Sequence, residues 1–412
     1  MKNIVILNRF PLDKIFYHEW VEPGDRIYLF SNRQPQELGA PYHEVRFYDN
    51  YDSSNQVMLD VIELAEGVSI DSIIALSEKD VLRAGHLRHH LGVPGLDLET
   101  SWRFRDKVAM KDALREAGVP TASYAPIASV TDVLAFMKQN GSRIVIKPRR
   151  DAGSRGVSLL DGREEIHRYL EQAAHLSPNE AANWMVESRI DGDMYHVDGV
   201  YCAGEQVAAF PSKYMSSCLD FASSGALLSV LVDKTDRNLA NLLDVTARAV
   251  HALAGDNGTC LYHAELFVTA NGEVLVNEVA CRIGGAKIYP TVQKICQYDL
   301  MREYVRAETG RSPKPQPVDY ELGGYLLIPP KKGTVLRLPS ERKESWVVEC
   351  EFHCRVGQVL NPAKSSVDRV LAGVVSGTDM RESEERLRDM VRWFDENSEI
   401  REAVEDHETN GI

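Results

Sequence analysis

Short apolar runs alternate with amphipathic stretches over about the first hundred residues. The runs at 2–8, 26–30, 44–47 and 72–75 are bounded by polar residues, as buried strands are. Between them, 57–66 and 80–91 repeat apolar residues at helical spacing, and Gly92 and Pro94 end the second stretch. Alternating strand and helix predicts a small parallel α/β domain over 1–100. A well-marked helix follows at 105–118. Met110, Ala113, Leu114 and Ala117 share its core face, and Gly118 and Pro120 stop it. Further strands are expected at 142–147, 184–187 and 207–210, with helices at 164–174, 237–253 and 292–309. The segment after 187 reads as strand, a turn at Gly192, then strand. The stiff SPKPQP stretch at 312–317 reads as a linker. Beyond it the period changes to strands at 323–328, 333–338, 346–355 and 369–376, closed by an amphipathic helix at 382–394. The expected domains are therefore 1–100, 101–311 and a mostly β domain over 318–404.

The stretch at 262–285 carries the densest chemistry. Asn271-Gly272 lies between two apolar runs, a strong hairpin signal because a type I′ turn needs positive φ at both positions. With a two-residue loop, Ala270 pairs with Glu273 and Glu265 stands opposite Glu278. Side-chain alternation then puts Phe267, Val276 and His263 on the carboxylate face. Opposed carboxylates repel unless a cation lies between them, and hard oxygen ligands suit Mg²⁺. Arg282 adds a fixed cation, and at Gly284-Gly285 the backbone can approach a ligand closely.

Composition narrows the classes. The chain has 412 residues, 44% hydrophobic and 26% charged, with a net charge of −14. That balance is ordinary for a globular protein and argues against a duplex nucleic-acid binder. Seven cysteines without a CxxC pair fit free thiols in a reducing cytoplasm. Cys350, His353 and Cys354 are too few for a zinc site, and His86, His89 and His90 lack acidic partners at ligand spacing. The leading MKNIVILN is too short for a secretory signal, and no apolar run approaches a membrane span.

Phosphate-binding features are of an unusual kind. There is no GxGxxG after the first strand and no GxxxxGK[ST]. Instead Lys147-Pro148 ends a strand and opens into RRDAGSRGV at 149–157, a cationic loop whose N–H groups can wrap phosphates. Lys107 and Lys111 share a helix face one turn apart, which alone reads as two solvated lysines. The polar loop at 212–225, carrying Lys213, is where a substrate contact is expected.

The order of these pieces, from about 105 to 285, resembles the ATP-grasp superfamily. DKxxMKxxLxxAGVP at 106–120, VIKPxxxxGSxGV at 145–157, Met185-Val186-Glu187 and the hairpin glutamates followed by Arg282 carry the likeness. The resemblance implies an α/β ATP-grasp fold with an N-terminal parallel domain, a lid over 120–185 and a C-terminal mostly β domain. It implies that Lys107 and Lys147 contact ATP and that Gly153, Ser154 and Gly156 cover the triphosphate. Met185, Val186 and Glu187 would face adenine through their backbone, with Ile190, Phe267 and Val276 completing the nucleotide site. Glu265 and Glu278 would hold Mg²⁺, or Mn²⁺ in its place, and Arg282, Gly284 and Gly285 would serve catalysis. Two positions depart from the pattern. Met194 stands where the family usually has a ribose-binding acid, and Ala280 where it commonly has an Asn, with Asn277 before the glutamate instead.

Within the superfamily, the layout and the segments NEVACRIGG and GDMYHVDG are similar to bacterial L-amino acid ligases. That likeness implies a cytoplasmic enzyme acting on ATP and free amino acids, compatible with a homodimer, without nucleic-acid or membrane partners. It would form a dipeptide through an acyl phosphate, releasing ADP and phosphate, with Lys213 and His263 as candidate substrate contacts. The rivals are a ligase using a carrier protein or another amine, a biotin-carboxylase-like enzyme, and a non-catalytic nucleotide-binding module. Keeping both glutamates, both lysines and Arg282 favours catalysis over mere binding.

Overall fold

The computed structural model describes residues 1–33, 41–153, 155–178, 180–215, 225–363 and 368–401. They form two compact units. The first comprises Met1–Pro211, Asp236–Gly284 and Tyr298–Val318; the second comprises the described parts of Ser212–Thr235, Gly285–Gln297 and Asp319–Ile412. The break after Val318 falls just beyond the expected linker. The expected consecutive domains are nevertheless interleaved, because strand Leu227–Leu231 pairs with Leu322–Ile328 and helix Ile288–Ile295 packs on the same strand. Residues 1–100 share one unit with the region that follows them.

The first unit opens with a parallel sheet in the order Glu44–Phe47, Arg26–Ser31, Asn3–Asn8, Ser72–Ala75. Helices Gln56–Gly67 and Glu78–Leu91 follow the third and fourth strands in sequence, and Gly92 ends the latter helix at φ +67°. A second, antiparallel sheet has the order Tyr124–Ile127, Trp184–Ser188, Arg143–Pro148, Ser158–Asp161. Helices Val130–Asn140 and Arg163–Gln172 pack on it. Helix Val130–Asn140 carries a capping box, Ser129 with Asp132, that marks its start.

The third sheet sets Val274–Ala280, Thr259–Thr269, Gly192–Cys202 and Glu205–Tyr214 side by side. Helix Leu239–Ala254 packs against it. Gly192 is not a turn; it begins an 11-residue strand opposite Thr269. A Cβ there would lie 2.5 Å from the Val268 carbonyl oxygen, so close approach explains the glycine. The single helix expected at 292–309 is two, Ile288–Ile295 and Leu300–Glu308. Gln297 at φ +54° breaks it and Asp299 caps the second piece.

In the second unit strands Leu227–Leu231, Leu322–Ile328, Leu371–Gly377 and Val347–Phe352 lie side by side in antiparallel order, with helix Met380–Asn397 packed against them. Among the described residues no helix is long and apolar enough to cross a membrane. Their six cysteines are unbonded.

Candidate active site

The hairpin loop has three residues, 270–272, not two. Thr269 N–H donates to the Glu273 carbonyl at 2.9 Å, and Gly272, at φ +84°, donates to the Thr269 carbonyl at 2.9 Å. Continued without interruption, that register would turn Glu278 to the opposite face. A bulge at Asn277 restores it: Leu266 pairs with Val276, and Glu265 with Glu278. The expected opposition of the glutamates stands, reached by a different route.

The bulge also corrects the expected apolar lining. Val276 pairs with Leu266 and is fully buried on the other face of the sheet. Its N–H donates to the Pro120 carbonyl at 2.8 Å, and its carbonyl accepts from the Thr121 hydroxyl at 2.8 Å. Half-buried Leu275 takes its place, opposite Phe267, and Met194 lies opposite Phe267 on the next strand. Asn277 joins the carboxylate face. It donates through Nδ2 to Glu265 at 3.1 Å and accepts from Lys147 Nζ at 3.2 Å.

Each glutamate has its own counter-group. Lys107 Nζ lies 3.0 Å from Glu278 Oε1 and donates to the Asp151 carbonyl at 2.8 Å, which ties the 149–157 loop to the hairpin. Lys107 opens helix Lys107–Glu116, whose start is fixed by Asp106 accepting from the N–H groups of Val108 and Ala109. Glu265 faces His263 Nε2 at 3.5 Å. Behind it, Asp198 accepts from His263 Nδ1 at 2.9 Å and from His196 Nδ1 at 2.6 Å. This row forms because His263 stands opposite Asp198, and Glu265 opposite His196, on adjacent strands.

Charge follows the geometry. Burial alone would lower the His263 pKa, but Asp198 and Glu265 overcome it and raise it to about 9. Burial would raise Glu265, yet His263 brings it down to about 2. Asp198 is likewise held below the usual carboxylate range against its burial, by the two imidazoles. His196, Asp198 and His263 have ligand atoms within 4.8 Å of one another. Asp198 commits both oxygens to ring nitrogens, so the group is a hydrogen-bonded string and not an open cation cage.

Lys111 and Lys107 are not solvated; they are 0% and 5% exposed. Lys147 Nζ lies 2.6 Å from Glu187 Oε1, and Lys111 Nζ lies 3.2 Å from Glu187 Oε2. Lys111 donates to the Thr121 hydroxyl at 2.6 Å, and Glu187 Oε2 has no aligned hydrogen bond, so Lys111 acts on it through charge. Burial pushes the Glu187 pKa up, but the two ammoniums bring it below its usual range. Lys111 is lowered, chiefly by burial and further by Lys147, with Glu187 opposing. The directions differ because one carboxylate serves two cations.

Met185, Val186 and Glu187 lie inside a strand laddered on both sides, to 124–127 and to 143–148. Their backbone is committed to the sheet, which corrects the expectation that it faces adenine. Ile190 stands in the connection 189–191, outside both ladders. Gly153 and Gly156 adopt φ of +69° and +71°, where only glycine is unstrained. Ser154 lies outside the described residues.

Arg282 donates through Nε to Glu78 at 2.8 Å and through Nη1 to the Ile283 carbonyl at 2.8 Å. Glu78, the first residue of its helix, also takes Arg105. Burial works against the Glu78 charge, but Arg282 and Arg105 hold its pKa low. Gly284 is buried, and Gly285 has no atom within 4 Å of where a Cβ would stand. Lys213 pairs opposite Val230 in the second unit, and most of the expected loop around it, 216–224, lies outside the described residues.

The fold is that of the ATP-grasp class, and the curated relatives that the chain matches over most of its length include ligases that form C–N bonds. Residues 141–289 match the ATP-grasp domain family. Over 318 residues the chain is 26% identical to the L-arginine-specific L-amino acid ligase of Bacillus subtilis, covering 75% of each chain. Over 312 residues it is 24% identical to the phosphoribosylamine–glycine ligase of Vibrio cholerae serotype O1, covering 70% of this chain and 71% of that one. In fold it is similar to the L-amino acid ligase from Bacillus licheniformis, with a TM-score of 0.76, 19% identity, and coverage of 98% of this chain and 99% of that one.

Proposed function

We propose that the protein joins two L-amino acids into a dipeptide, using ATP and releasing ADP and phosphate through an aminoacyl phosphate. The observation that supports this reading is that Glu265 stands opposite Glu278, with Lys107 3.0 Å from Glu278, and Asn277 bonded to Glu265 at 3.1 Å and to Lys147 at 3.2 Å. Two carboxylates facing one side from neighbouring strands, with a carboxamide beside them, are hard oxygen donors of the kind magnesium takes. Glu265 and Glu278 would hold it, with Mn²⁺ as a substitute, and when bound it supplies counter-charge for the phosphates.

The chain's own residues then have distinct tasks. Met194, Phe267 and Leu275 offer an apolar bed for the nucleoside. Lys107 and Lys147 exchange protein carboxylates for phosphate oxygens, a swap of one anion for another in the same setting. The substrate carboxylate attacks the γ-phosphorus, and the bond from that phosphorus to the ADP oxygen breaks. Arg282 holds a transferring oxygen. The amine then attacks the acyl carbon, the bond to phosphate breaks, and a proton leaves the nitrogen. Gly284 and Gly285 N–H groups take the substrate carboxylate or the tetrahedral oxyanion. Closure of the loop hinged at Gly153 and Gly156 keeps water from the acyl phosphate.

A phosphate-release screen with ATP over all pairs of the twenty amino acids tests the proposal. Release that depends on particular pairs, with ADP as the nucleotide product, is expected. AMP and pyrophosphate as products would contradict the mechanism. The similarity to a phosphoribosylamine–glycine ligase favours a second reading, in which an amino acid is joined to some other amine. No pair would then release phosphate, while one amino acid with a non-amino-acid amine would.

A further inference from the structure

Lys111 takes no part in the mechanism above, yet its side chain is fully buried, 3.2 Å from the Glu187 carboxylate. A buried ammonium is costly, and an apolar residue would fill the same helix face at lower cost. Its surroundings show what the charge does. Lys111, Glu187 and Lys147 form one chain of contacts, 3.2 Å on one side of the carboxylate and 2.6 Å on the other. Two ammoniums and one carboxylate leave a net charge of +1, whereas Lys147 and Glu187 alone would cancel.

Lys111 is held in place from outside the pair. Its proton goes to the Thr121 hydroxyl at 2.6 Å, and that hydroxyl donates to the Val276 carbonyl on the hairpin strand at 2.8 Å. Lys147 extends beyond Glu187 to Asn277, on the carboxylate face. Lys111 and Lys147 therefore meet different oxygens of Glu187, and of the two it is Lys147 that reaches Asn277.

We propose that Lys111 is a positioning residue: by sharing Glu187 it keeps Lys147 from being neutralised, so that Lys147 offers net positive charge to the triphosphate. Without Lys111, an incoming phosphate has to displace the undivided Glu187 carboxylate from Lys147. With it, Glu187 retains a partner when Lys147 turns to phosphate, and no buried anion is stranded. This inference rests on the reading in which Lys147 meets the phosphates of ATP.

The test is calorimetric binding of ATP and of adenosine, each with magnesium, to the full chain, read as the ratio of the two affinities. Lys111→Met should lower the preference for ATP by about tenfold or more. Lys111→Arg should keep it within about threefold of the parent. Lys111→Met/Glu187→Gln restores the net charge and should recover it to within about threefold. A folded Lys111→Met protein with an unchanged ratio overturns the inference. So does a double variant that stays as low as the single one. If Lys111→Met does not fold, the double variant decides, and a ratio about tenfold below the parent overturns the inference. Lys147→Met separates the two layers. It should remove most of the preference for ATP, and if it does not, the phosphate role of Lys147 falls and the inference with it. Loss with Lys147→Met but not with Lys111→Met overturns the inference alone.

Discussion

Lys107 Nζ lies 3.0 Å from Glu278 Oε1, so the charge that faces Glu265 across the hairpin is already answered inside the protein. From the sequence, two opposed glutamates suggest relief when one is neutralised. The ion pair reverses that sign. Glu278→Gln should destabilise the metal-free protein by about 1–3 kcal/mol, because Lys107, only 5% exposed, loses its counter-charge. A denaturant titration without nucleotide or magnesium measures it, and equal or greater stability would return the repulsion argument to favour.

The buried row behind Glu265 gives a pH signature. His263 titrates near pH 9 in the fold, against an ordinary value of 6.5. A raised pKa means stability that is fully present below about pH 6.5 and is lost as pH rises through 9. The parent should therefore lose on the order of 2 kcal/mol between those limits that a His263→Gln variant does not lose. The comparison is of unfolding midpoints for the two proteins across that range. Parallel curves would show that His263 is neutral in the native state.

Glu78 lies between two guanidiniums, those of Arg105 and Arg282, and is 8% exposed. Glu78→Gln leaves both cations facing an amide. A stability loss of roughly 3–5 kcal/mol is expected, as for other buried pairs broken on one side. Turnover should fall in the protein that remains folded, because Arg282 loses the group that orients it. Thermal melts and phosphate release read the two effects. A variant with the parent's melt and rate would remove Glu78 from the site.

What the sequence disclosed, and what it hid, divides by range. The hairpin was legible because Asn271-Gly272 is a local signal, and so were Lys147 and its glycine loop. Glu265 and Glu278 were opposed for a reason only partly correct, since loop length and bulge each shift register by one and the shifts cancel. That shift is invisible in the residue pattern, and it moved Val276 to the far face and brought Leu275 and Asn277 to the site. The Asp198 row depends on the pairing of Gly192–Cys202 with Thr259–Thr269, strands far apart in sequence, and Glu78 is separated from Arg282 by 204 positions. Lys111 looked solvated because helix spacing says which residues share a face, not what covers it. The interleaving of the two units escaped for the same reason, since strand Leu227–Leu231 gives no sign of its partner Leu322–Ile328.

The central claim is that Glu265 and Glu278 together form the magnesium site of an ATP-dependent ligase. A magnesium titration of amino-acid-dependent ADP formation, for the parent, Glu265→Gln and Glu278→Gln, tests it most directly. Both variants should lose at least about a hundredfold in rate at low magnesium, because the phosphates lose a fixed counter-charge. Higher magnesium should recover only part of it. If both variants keep near-parent rates at low magnesium, the metal is held elsewhere and the account of the hairpin is wrong.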